Sequence, residues 1–175
     1  MPACGGDTDT REPGPHREDV EVVERVRTDT TEPADDVVVQ VWNILDERPV
    51  AVERRVPEAT VESALQALVR GPTEAERQAG HSSWFADSTA AILRSVARDN
   101  GQVVVDFHGD MPRLMSGAGT SFGSLMLLAM LDSTVFQFPG VQAVEYRLDG
   151  SCAAFGEWLQ TGCEGVQRRR PEEGS

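Results

Sequence analysis

Three groups of residues in this chain have types and spacings that could do chemistry. Gly119-Thr120-Ser121-Phe122-Gly123 reads G-x-S-x-G, the pattern of a serine-hydrolase nucleophile elbow. An elbow needs a strand running straight into the serine, with the acid and then the histidine following it in the chain. Here Met111 to Gly117 is not a core-strand sequence, and His16, His81 and His108 all precede Ser121. Other triad orders exist, so the missing strand is the stronger objection. The competing reading makes Thr120 or Ser121 a helix cap, its oxygen accepting a backbone N–H left free at the first turn. The glycines then let the loop turn in and bring the helix close to the sheet. Asp106-x-His108-x-Asp110 is the second group. Carboxylates with an imidazole suit zinc or manganese, but alternate polar residues on a strand are equally what a solvent face requires. Trp84 and Phe85 are the third, set in a long polar stretch over residues 71–90. They read as loop anchors, with a small-ligand platform as the alternative. Gly117-x-Gly119 is no dinucleotide fingerprint, because the spacing to Gly123 is G-x-G-x-x-x-G and no parallel crossover with a ribose-binding acid follows.

The cysteines carry a different message. Cys152 and Cys163 flank a short segment near the end of the chain, and no histidine stands close enough to complete a zinc set. They are expected to form a disulfide, which would stabilise the fold by roughly 2–3 kcal/mol and belongs in an oxidising compartment. Cys4 lies in Met1-Pro2-Ala3-Cys4-Gly5-Gly6. Ala-Cys-Gly is what remains of a bacterial lipobox once the hydrophobic segment is removed, so Cys4 is expected to carry a lipid anchor. As written the chain has no signal peptide, and this expectation needs a hydrophobic segment upstream of Met1. The alternative is an ordinary cysteine in a polar tail.

Composition narrows the partners. The chain has 175 residues and a formal net charge of −13, with 39% hydrophobic residues. Such a charge repels nucleic-acid phosphates and anionic lipid headgroups. All 16 basic residues are arginine, which points to a GC-rich bacterial genome. No apolar run approaches the roughly eighteen residues of a membrane span.

The elements that must position these residues follow from pattern. Residues 1–36 are rich in Asp, Glu, Thr, Pro and Arg, the composition of a spacer. Val37 to Leu45 is β-branched and apolar, and Val50 to Arg54 returns after a turn at Asp46-Glu47-Arg48-Pro49. Val61, Ala64, Leu65, Leu68 and Val69 form one helical stripe, stopped by Gly71-Pro72. Asn100-Gly101 joins two β-rich runs as a hairpin. A helix is expected from about Thr120 to Phe136, then a strand from Val141 to Leu148. The order is β-hairpin, α, β-hairpin, α, β. The economical packing is an α+β fold, a small mixed sheet with two helices on one face. The folded domain is expected over 37–163, with a tail over 164–175.

The chain from about residue 37 to 155 resembles the GerMN domain of sporulation and germination proteins. The matching stretches are Glu53 to Pro57, Ala67 to Arg77, Ser95-Val96 and Gly101 to Phe107, then Gln137 to Val141 and Asp149-Gly150. Their order and spacing carry the resemblance. It implies a compact α/β domain of bacterial envelope proteins, often lipoproteins, that is non-catalytic, has no cofactor and works by protein contacts. Taken together, the expectation is an extracytoplasmic, lipid-anchored interaction module with an unidentified envelope protein as partner and no nucleic acid. The open face of the sheet, around Val104, or an edge strand is the expected contact surface. The runners-up are a small hydrolase or metal-dependent enzyme using Ser121 or His108, and a small-ligand binder using the Trp84-Phe85 loop.

Overall fold

The computed structural model describes residues 36–163 and the backbone of Gln167 and Arg168. Cys4, the rest of the expected spacer and most of the expected tail lie outside the described residues.

Two nine-residue strands, β1 (Val37–Leu45) and β2 (Arg48–Val56), pair as an antiparallel hairpin. Asp46 and Glu47 form its turn, both with positive φ (50° and 60°). A two-residue connection needs that conformation to follow the twist of its strands. Helix α1 (Val61–Leu68) starts at Thr60, whose side chain accepts from the Ser63 N–H, and buries Val61, Ala64, Leu65 and Leu68. After it comes Gly71 at φ 74°, packed so tightly on the Phe85 backbone that any side chain would collide with the Phe85 carbonyl. The stretch read as a loop holds a short helix, α2 (Glu74–Gln78), closed by a reciprocal capping box between Thr73 and Glu76. Five residues are too few to show a period, and Thr73-x-x-Glu76 was the signal available.

The second hairpin joins β3 (Leu93–Asp99) to β4 (Gln102–Phe107) through Asn100 and Gly101, both at positive φ, as that dipeptide predicts. A one-turn helix α3 (Met111–Leu114) and the sixteen-residue α4 (Ser121–Phe136) lead to β5 (Ala143–Leu148), which lies parallel to β4. Helix α5 (Cys152–Leu159) follows, and the short β6 (Gln167–Arg168) returns antiparallel to β5. The fold is α+β in the expected element order. It differs in detail, because the strands divide between a β1–β2 sheet and a β3-β4-β5-β6 sheet, and α2, α3 and α5 join the two expected helices.

Hydrogen bonding explains why the first hairpin stands alone. The Gln40 N–H donates to Gln137 Oε1 (2.9 Å) and the Gln137 amide donates back to the Gln40 carbonyl (2.6 Å). Ile44 pairs with Ser82 in an isolated bridge. At Gln40 and Ile44 the outer edge of β1 therefore finds partners without a neighbouring strand. Packing joins the two sheets: Val39 and Val41 of β1, the α1 stripe, the inner side of α4, and Val103, Val105, Phe107, Val144 and Tyr146 form one buried cluster. Phe155 of α5 completes it, its ring 5.3 Å from Tyr146 and 6.3 Å from Phe107.

Candidate interaction face

Ser121 is the first residue of α4, and its side chain is exposed. The cap is its neighbour. Thr120 Oγ1 accepts from the Gly123 N–H (3.1 Å) and donates to the Gly117 carbonyl (2.9 Å). No strand runs into Ser121, since α3 and a loop precede it. Its Oγ has no hydrogen bond to a histidine or acid among the described residues. Gly123 is glycine for packing: a Cβ there would strike the Gly117 carbonyl and Ala118. The G-x-S-x-G pattern is thus a capped helix entry, not an elbow.

The Asp106, His108 and Asp110 group does not converge. Asp106 accepts from Arg94 (2.9 Å) and from the Gly150 N–H (2.8 Å), tying β3, β4 and the turn after β5 together. Asp110 opens α3 and faces Arg113 at 3.7 Å, while His108 is exposed. Among the described residues no three His, Cys, Asp or Glu side chains come together to hold a metal ion. Phe85 is 1% exposed and Trp84 is half-buried, so this pair anchors its loop. Cys152 and Cys163 are disulfide-bonded with their Cα atoms 5.3 Å apart, which fastens the start of α5 to the turn beyond its end.

What the sequence reading missed is the outer side of α4. The helix buries Met126, Leu127, Met130, Leu131 and Val135 inward. One turn apart on the opposite side, Phe122 and Leu125 are 52% and 60% exposed. A surface helix ordinarily turns charged or polar residues outward; the first half of α4 turns these two large apolar groups. The signal was present in the unbroken run Leu125 to Leu131, which has no polar period and so no side suited to water. At the far end of the helix, Tyr146 donates to Asp132 Oδ1 at 2.8 Å, and burial pushes the Asp132 carboxyl up to about 6. By contrast, Val104 on the open side of the four-stranded sheet is half-buried and sits among Asp106, Glu145 and Arg147.

A family model described as Germane, sporulation and spore germination, matches residues 29–152. The chain belongs to the Germane family. Germane is a sporulation and germination domain family, not a known enzyme family. Among solved structures the chain is similar to the tandem GerMN domains of the sporulation protein GerM from Bacillus subtilis, at 18% identity and a TM-score of 0.54. That alignment covers 77% of this chain and 45% of the other, so this Germane chain spans less than half of its tandem-domain relative. No curated protein matches. No helix among the described residues is long and apolar enough to cross a membrane.

Proposed function

We propose that this Germane chain is a non-catalytic protein-interaction module of the bacterial cell envelope, held outside the cytoplasm by a lipid on Cys4. The observation that carries the reading is the outer side of α4, where Phe122 and Leu125 stand in water at the entrance of an otherwise apolar helix. Exposed apolar groups on a rigid helix suit a folded protein partner with an apolar patch of its own. A net charge of −13 disfavours a nucleic acid or an anionic lipid surface as the occupant. The Cys152–Cys163 bond supports an oxidising location. The contact is assigned to α4 in preference to the open sheet face, because Val104 there is partly covered and flanked by charge.

The test is photo-crosslinking from position 129, one turn further along the outer side of α4, in membranes of the native host, with variants compared at matched protein levels. Phe122→Glu with Leu125→Glu is expected to reduce partner capture at least tenfold, and His108→Ala and Ser121→Ala to leave it unchanged. Loss of function in His108→Ala with the α4 variant silent would return the search to a metal or catalytic centre. Mass spectrometry of the N-terminal peptide checks the anchor, and an unmodified Cys4 thiol in the exported protein refutes that part.

A further inference from the structure

A cleft of about 450 Å³ lies where the end of β2, the end of α1 and the start of α2 meet. Arg54, Arg55, Arg70 and Arg77 line it. In a chain of net charge −13, a quarter of the 16 basic residues around one cleft is a local reversal of sign. Two of the four are already engaged. Arg54 donates to both Glu76 carboxylate oxygens at 2.6 Å, and the Arg54 hydrogen bonds hold the Glu76 carboxyl down to about 2. Arg77 donates to Glu74 (2.8 Å) and to the Pro72 carbonyl. Arg55 and Arg70 are exposed and make no hydrogen bond or ion pair among the described residues.

The walls are fixed in place. Gly71 packs against the Phe85 backbone, and Thr89 Oγ1 donates to the Val69 carbonyl at 2.7 Å, so the 83–91 loop is fastened to the end of α1. The Arg54–Glu76 pair ties β2 to α2. A pre-formed cleft loses little freedom when it fills. Charge then selects the occupant. The four arginines line the cleft with Glu74 and Asp87, and Glu76 pairs with Arg54, which leaves a surplus of one positive charge among these residues. That surplus suits a single carboxylate, whereas a phosphate dianion would leave the cleft with excess negative charge. Pro57, Ala67 and Pro72 add apolar surface beside the arginines, as flanking side chains of a peptide require.

We propose that this cleft binds an acidic peptide segment, with Arg55 and Arg70 taking an aspartate or glutamate carboxylate and Pro57, Ala67 and Pro72 receiving its apolar neighbours. Neither Phe122 nor Leu125 lines the cleft, so this site stands or falls independently of the α4 contact.

The experiment is fluorescence anisotropy on the full chain at low salt, using a labelled short peptide with one glutamate between apolar residues and its glutamine twin. The glutamate peptide is expected to bind, at least tenfold more tightly than the twin, and to weaken as salt rises. Arg55→Gln with Arg70→Gln is expected to lower affinity about tenfold or more at an unchanged unfolding temperature, while Arg113→Gln on α3 changes nothing. If that double variant unfolds, Arg55→Lys with Arg70→Lys replaces it and is expected to lose part of the affinity, because an ammonium cannot hold a carboxylate with two parallel bonds. Equal binding of both peptides, no binding of either, or undiminished binding by the arginine variants overturns the proposal. So does displacement of the peptide by inorganic phosphate at concentrations where acetate is inert, which would make the cleft a phosphate site.

Discussion

Asp132 lies under the Tyr146 hydroxyl, largely out of water, and its carboxyl titrates near 6 where an ordinary aspartate titrates at 3.8. The cause is loss of solvent around the charged form, only partly offset by the tyrosine's hydrogen bond. The folded state therefore holds its proton over a range in which the unfolded chain has released it. This contribution to stability is whole below 3.8 and is lost as pH rises through about 6. Asp132→Asn keeps an oxygen for Tyr146 and has no charge to desolvate. Urea unfolding at pH 7.5 is expected to show the variant more stable by on the order of 1–3 kcal/mol, with the gain vanishing near pH 4. An equal gain at both pH values would mean that the carboxylate charge is not what the fold resists. The serine and threonine at the head of α4 divide as sharply. Thr120→Ala removes the oxygen that satisfies the Gly123 N–H and is expected to cost about 0.5–2 kcal/mol, while Ser121→Ala stays within about 0.5 kcal/mol of the parent. A serine-reactive probe that labels the parent at Ser121, and not the alanine variant, would reinstate the hydrolase.

Helix α4 has two apolar sides that energetics separates. Leu127 is fully buried, so Leu127→Ala should cost about 2–5 kcal/mol through lost contacts and the cavity left behind. Leu125, 60% exposed, loses little on substitution, and Leu125→Glu should shift stability by no more than about 0.5 kcal/mol. Thermal unfolding of the two variants side by side checks this, and a large loss in Leu125→Glu would place that residue in the core. Legibility in the sequence followed the same division. The α1 stripe and the Asn100-Gly101 turn were plain because period and dihedral demand are local properties. Helix α5 was hidden: its Cys152 end was read for the bond it makes, and a helix of eight residues with Gly156 inside it carries weak propensity of its own. It is held by Ser151 at its head, by Phe155 against Tyr146 and by the disulfide, none of which a local pattern displays.

Over the whole molecule, sequence pattern predicted the element order but not how the strands would be shared between sheets. The pairing of β4 with β5 joins residues about forty positions apart, and the isolation of the first hairpin depends on the side chain of Gln137, 97 positions from Gln40. Neither distance leaves a periodic trace. The arginine cleft is similarly dispersed: Arg54-Arg55 and Arg70 to Arg77 lie in separate stretches of the sequence, and only the fold brings them to one cleft. Along β1, the Gln137 amide stands in the slot that a neighbouring peptide group would fill, giving and receiving the same two bonds. A nine-residue β-branched edge is otherwise a template on which copies of a chain can zip together into a ribbon. The amide acts as a stopper in that template. An incoming strand must evict it before it can pair at Gln40.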